Sequence, residues 1–397
     1  MKRRSEAGQA LITVAYSMVV LIGFMGLAVD MGYLRHVKRQ MQSAADSAAI
    51  AGAAELQYGD STSAAKADSA RNGFTDGNNG VQVTVSSPKS GQVQVVVSQD
   101  QPTFFMRIFR VTSVALSARA VGTLGSSRGP LYALGGGDAI NTNGDEVDVD
   151  VPNGTITDNG NLAAGGGGSI IASSIGVAGS VSSGGTQISP TPQTGIAPIS
   201  DPLSTLPKPS AGGCDKRTIV SKDTTLNPGT FCGITINGSG GGGGGEGDDD
   251  GKGSVSVHFN PGVYVLTDGI TVNGSATLTG TDVTFFNSGG PIVIQGDVSN
   301  DKLILSAATT GTYAGILFFQ DPSNTSSATI AGAGGSKIEG ALYFPQAQLT
   351  TNGGGSAAYT IVVAKTIVFK GGNDSTFNNN FSSLPGGSPI KTAVLVE

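Results

Sequence analysis

The hydrophobic pattern of the chain changes character three times. Residues Ala10 to Val29 (ALITVAYSMVVLIGFMGLAV) carry no charged side chain. About 20 consecutive apolar residues suffice for a helix to cross a bilayer core. The run therefore predicts a transmembrane helix at 10–29 behind a short basic N-terminus at 1–9. From Met31 to about Leu56 there is no proline, and alanine dominates MQSAADSAAIAGAAEL, so the helix should continue beyond the membrane. A second short helix is expected at 64–73. Apolar and polar residues then alternate over 81–87 (VQVTVSS) and 92–98 (QVQVVVS), the pattern of a half-buried hairpin, and again over 113–122. Between these strands, 102–111 (PTFFMRIFRV) mixes Phe104, Phe105, Ile108 and Phe109 with Arg107 and Arg110. Such a cluster is expected to fill the core of the small sheet; the other reading is contact with a partner or lipid. Residues 30–123 thus form a long helix on a small antiparallel α+β sheet, pilin-like in outline.

From 124 to 397 the pattern is different. Short apolar triplets recur between Gly, Asn, Asp and Ser, such as Ile234 to Ile236, Ile270 to Val272, Val283 to Phe285, Ile292 to Ile294 and Ile367 to Phe369. GITINGSG (233–240) and GITVNGSA (269–276) nearly repeat each other. Strands this short suit rungs that stack on one another, so the body is expected to be a Gly-rich, right-handed parallel β-helix. The competing fold is a β-sandwich, whose strands usually run longer and alternate more cleanly. Two stretches interrupt the pattern. Residues 189–209, with Pro190, Pro192, Pro198, Pro202, Pro207 and Pro209, read as an extended strap. Residues 238–253 (GSGGGGGGEGDDDGKG) have nothing to bury and read as a flexible loop.

Composition sharpens this picture. The chain has 62 glycines in 397 residues and no tryptophan, so its core must be built mainly from Val, Ile, Ala and Leu. Residues 1–39 hold six basic and two acidic side chains, a net of +4; with −6 overall, the remainder carries −10. An acidic body argues against a nucleic-acid partner. No A-x-A-like site follows Val29, which favours an uncleaved anchor over a signal peptide. Lys and Arg flank both sides of the span, so charge alone does not orient it. The acidic body, the two cysteines and the lack of a second long apolar run favour a short N-terminus inside and everything else outside the cytoplasm. In an exported protein Cys214 and Cys232 are then expected to form one disulfide closing a short loop; the other reading is two unrelated thiols.

Ala44, Ala48 and Gly52 lie four apart on one helix face. Small residues at this spacing let another backbone approach closely. The partner is either a helix of another protein or the chain's own domain.

The N-terminal run combines Gly8-Gln9-Ala10, an apolar span ending Ala28-Val29-Asp30, then Gly32, a basic residue, a Gln-rich turn and an Ala-Ala-Asp-x-Ala-Ala segment at Ala44 to Ala49. It resembles the N-terminal module of the TadE/TadG-like Flp-pilus assembly family over about residues 5–56. The resemblance implies a bacterial inner-membrane anchor with a periplasmic or surface role linked to tight-adherence pili, and partners among envelope or pilus-assembly proteins. Prepilins carry a glutamate five residues after the processed glycine; counted from Gly8 that position is Thr13, so processing as a pilin is not implied.

No catalytic constellation stands out. His36 lies in the basic juxtamembrane run and His258 on a strand, and neither has a metal-ligand or nucleophile spacing beside it. Acidic residues of the body are scattered, although β-helices also include polysaccharide-degrading enzymes, so a glycan ligand is the alternative to a structural role. Glu246 and Asp248 to Asp250 lack the alternate spacing of a calcium loop and read as a solvated tip. The sequence therefore predicts a non-enzymatic protein with no cofactor and no metal.

Overall fold

The computed structural model describes residues 7–57, 59–126, 129–144, 146–214, 216–238, 255–295, 303–331, 336–351, 355, 357–370 and 375–396. The expected glycine-rich loop and its acidic residues 246–250 lie outside the described residues, apart from Gly238. The chain divides into two units: Met1–Gly125 with Lys391–Glu397, and Ser126–Ile390.

In the first unit, helix α1 (Ala7–Ala54) is continuous through 48 residues, about 72 Å at the usual rise. Its first half presents Ile12, Tyr16, Val19, Leu21, Phe24 and Val29 outward, all more than half exposed. Its second half packs on the unit's own core. Helix α2 (Ser61–Arg71) starts where Asp60 accepts the backbone N–H groups of Thr62 and Ser63, an N-cap that satisfies two of the free amide donors. Strands β1 (Gln82–Ser86), β2 (Gln92–Pro102) and β3 (Ser113–Ser126) form an antiparallel meander. Alternation along β2 turns Val93, Val95 and Val97 inward, and Val95 and Val97 stand opposite Ala120 and Ala118 of β3.

Why the core uses such small side chains follows from how close α1 comes. A Cβ at Gly122 would lie 2.4 Å from the carbonyl oxygen of Ala49, so the helix backbone rests almost on the sheet. At that contact only small side chains fit, and the phenyl ring that this core does hold is Phe74. The expectation that Phe104, Phe105, Ile108 and Phe109 fill this core is therefore corrected: all four are exposed, and Met106–Phe109 form a 3-10 turn outside it. A fourth strand, Lys391–Leu395, pairs beside β3. Instead of one boundary at 123/124, the chain leaves the small sheet after β3 and returns to it at Lys391, so the body is inserted between two neighbouring strands.

The second unit is mainly β and its ladders are parallel. The near-repeats at 233 and 269 lie side by side in register, Ile234 against Ile270 and Asn237 against Asn273. The same ladder continues from Ile270 to Ile292 and from Ile292 to Ala328. A second ladder runs Val257, Leu278, Leu303, and a third runs Tyr264, Phe285, Phe318. From Thr218 to Ser306 each strand pairs with the third strand after it, and the long strand Lys337–Thr351 then takes the place of several.

The order along the stack is not the order along the chain. Strand Thr360–Lys370 pairs with Leu131–Ala133 and with Asp138–Asn143, so late residues meet the first strands of the unit in mid-stack. From Leu131 the pairings proceed to Ile156 and then Ile175, towards one end. The chain then crosses to the opposite end and returns strand by strand from Thr218. Of the proline-rich stretch 189–209, Gln193–Thr194 still pair with the strand Gly168–Val177, and the residues after them make that crossing.

The core runs the length of the stack. Phe231, Tyr264, Phe285 and Phe318 form a file of rings 6.0, 5.3 and 5.0 Å apart, each pair stacked. Each ring comes from a successive strand of the third ladder; Tyr264, Phe285 and Phe318 stand in register, whereas Phe231 is two residues off, opposite Leu266.

Candidate functional site

The feature of α1 that most affects its surroundings is Asp30, the first charged residue after the apolar run. It is fully buried, and its carboxylate accepts three backbone donors: Phe104 N–H at 2.9 Å, Phe105 N–H at 2.9 Å and Met106 N–H at 2.7 Å. An ionised carboxylate is the strongest acceptor available for such a nest of amides. Asp30 thus clamps the turn after β2 onto the end of the apolar helix. Neighbouring contacts fix the same turn. Tyr33 meets Phe104 edge-on with ring centroids 5.3 Å apart, and its hydroxyl donates to Gln101 Oε1 at 3.0 Å. Phe105 lies over Gly26, where a Cβ would come within 2.7 Å of the ring. Between α1 and the turn lies an apolar groove of about 420 Å³, lined by Val19, Val20, Gly23 and Phe24 on one side and by Ile108 and Phe109 on the other.

Sequence reasoning placed Asp30 only as the end of a span. Its partners lie more than 70 positions away, and nothing near Asp30 in sequence signals them.

Ala44, Ala48 and Gly52 are all buried within the first unit. A Cβ at Gly52 would meet Val93 at 2.9 Å and Ala65 at 3.2 Å, so this face serves close packing on α2 and β2 of the same chain. Of the two readings of the small-residue face, the intramolecular one describes these three positions.

Cys214 and Cys232 are joined by a disulfide. It ties the end of the crossing segment to the residue after strand Gly229–Phe231. The crossing segment is held along its whole course. Asn159 exchanges two hydrogen bonds of 2.8 Å with the backbone of Ile199, Tyr343 donates to Asp201 at 2.7 Å, and Lys208 pairs with Asp321 at 2.9 Å. Leu203 and Leu206 are buried. The expected strap is therefore a fastened cover. Burial raises the Asp201 carboxyl pKa even against its hydrogen bond from Tyr343, whose own hydroxyl is pushed up by burial and by that carboxylate.

The titratable groups of the body are dispersed. Asp158 is buried, accepts Gly160 N–H at 2.7 Å through one oxygen and has no partner among the described residues at the other; burial pushes its pKa up to about 6. His258 is exposed and hydrogen-bonded to Thr279 of the next strand at 3.0 Å. Among the described residues no three His, Cys, Asp or Glu side chains gather as a metal site would require. The outward positions of the second ladder carry Thr225, Ser256, His258, Thr277 and Thr279, and the row continues to an exposed Ile304 opposite Thr279.

No curated protein and no solved structure matches the chain. Residues 8–55 match the model of the Tad family, described as Flp pilus-assembly TadE/G-like. That stretch contains Gly26, Asp30, Ala44, Ala48 and Gly52. α1 is long and apolar enough to cross a membrane, with a mean hydropathy of 2.2 over its most apolar window. The N-terminal module of this chain is TadE/G-like, and with its apolar helix it fits a membrane-anchored protein related to pilus assembly.

Proposed function

We propose that the protein is a structural or assembly component of the bacterial cell envelope, anchored in the inner membrane by residues 10–29, with its body outside the cytoplasm and a role linked to Flp pilus assembly or adhesion. The observation that carries this reading is the union of an exposed apolar helix with a TadE/G-like module at residues 8–55.

In this reading the body is a three-sided parallel β-helix. The recurrence of pairing at every third strand supports it, and the general handedness of parallel crossovers would make it right-handed. Its role is structural rather than catalytic. The polar row of Thr225, Ser256, His258, Thr277 and Thr279 suits a presented surface, whereas glycan cleavage would need clustered carboxylates.

The test is fractionation of the native host followed by protease treatment of intact spheroplasts. A full-length integral protein cut down to a small N-terminal stub is the expected result. A soluble protein, or one protected from protease, would overturn the topology and the envelope role with it.

A further inference from the structure

We propose that residues 104–110 are a second membrane-embedded element, inserted into the bilayer beside α1, with phospholipid acyl chains filling the groove between them. The inference rests on the reading of residues 10–29 as a membrane span.

Four large apolar side chains fall within six residues and all face outward: Phe104, Phe105, Ile108 and Phe109 are 57, 44, 79 and 64% exposed. An exposed apolar cluster of this kind marks an interaction surface rather than ordinary surface scatter. Its place on the helix identifies the occupant. The groove reaches from Leu27 back to Val19, eleven positions before Asp30 and so roughly 16 Å along the axis. That is about half of a bilayer's ~30 Å hydrocarbon core. Ile108 and Phe109 therefore lie at the same depth as side chains of the span, and lipid that surrounds the helix must also surround them.

Irregular backbone at such depth is tolerated only when its polar groups are satisfied within the protein. Six N–H groups of residues 104–111 find acceptors within the protein. Asp30 takes the N–H groups of Phe104, Phe105 and Met106. Ile108 N–H bonds Phe105 O, Arg110 N–H bonds Arg107 O, and Val111 N–H bonds Met106 O. The Thr103 hydroxyl donates to Val111 O. Arg107 and Arg110 are exposed, and their long stems let the guanidinium groups reach phospholipid phosphates while the apolar side chains stay below. Gly26 completes the fit, since any side chain there would displace Phe105.

The chain contains no tryptophan, which makes a direct test available. Phe109→Trp and Phe24→Trp each give the full-length protein one indole at an exposed aromatic position. Each variant is reconstituted in vesicles of phosphatidylcholine and phosphatidylglycerol with brominated acyl chains, which quench indole fluorescence on contact. The expected result is quenching at position 109 within about twofold of that at position 24, with blue-shifted emission at both. Quenching at 24 alone, with the indole at 109 open to aqueous iodide or shielded from both quenchers, would overturn the proposal and leave the anchor standing. Absence of quenching at both positions would overturn the span itself.

Discussion

The carboxylate of Asp30 accepts the backbone N–H of Phe105 at 2.9 Å, joining the end of an apolar helix to a turn 75 positions later in the chain. Because the same carboxylate also holds Phe104 and Met106, one side chain sets the geometry of the whole turn.

Asp30→Asn keeps the shape but replaces a charged acceptor by a neutral one and adds donors where three donors already converge. Amide exchange at residues 104–106 is expected to accelerate roughly tenfold or more, while exchange in β2 stays unchanged. Hydrogen exchange on the detergent-solubilised protein measures this. Unchanged exchange at those amides would show that the turn is held by its apolar contacts instead.

The closeness of α1 to the sheet gives a second expectation. At Gly122 an added Cβ would meet the Ala49 carbonyl, part of a helix backbone that cannot step aside. Gly122→Ala should destabilise the first unit by about 1–3 kcal/mol through overpacking, read as a lower thermal midpoint. A control, Gly91→Ala, meets no atom within 4 Å but sits at φ 75°, so any cost there is backbone strain alone.

In the second unit the file of rings is the natural target. Phe285 lies between Tyr264 and Phe318 and is almost fully buried. Phe285→Ala should cost about 3–5 kcal/mol, measurable by chemical denaturation with a probe specific to the body. A loss below 1 kcal/mol would mean that neighbouring strands collapse into the space.

The Cys214–Cys232 disulfide closes a loop with a sequence separation of 18. Replacing both cysteines by serine should cost about 3 kcal/mol through the released chain entropy of the unfolded state. The effect should be seen first as protease cutting of the crossing segment near residue 210, because that end loses its fastening to the terminal strand.

Asp158 gives the body a pH dependence. Its folded pKa, raised by burial to about 6, lies above the ordinary value of 3.8. The folded form therefore binds the proton more tightly. This group's contribution is fully present below the ordinary value and is lost as pH rises through about 6. Denaturation midpoints of the wild type should fall between pH 4 and 7 more than those of Asp158→Asn. Equal slopes would show that Asp158 is solvated in the folded state.

What could be read in advance was whatever depends on local periodicity. A charge-free run of apolar residues can be satisfied in few ways, so the apolar helix at 10–29 was legible, and the alternation of 92–98 marked a half-buried strand. The near-repeat of 233–240 and 269–276 also carried information, because parallel register stacks like on like. Hidden features were those whose cause lies far along the chain. VTFF and ILFF lose their alternation because Phe286 and Phe319 are buried as well as the ring file itself. The Phe104–Phe109 cluster reads as core because its pattern cannot reveal that Phe74 and the valines of β1 and β2 already fill that core.

The sequence by itself determined the apolar helix, the TadE/G-like module, the mainly-β body and the pairing of two cysteines, since each follows from composition, spacing or the absence of alternatives. Only the tertiary structure decided that Asp30 grips a distant turn, that Ala44, Ala48 and Gly52 face their own sheet, and that the body begins and ends in mid-stack. The physical reason is common to all three. Each depends on which surfaces meet, and contact between residues tens to hundreds of positions apart leaves no periodic trace in either partner.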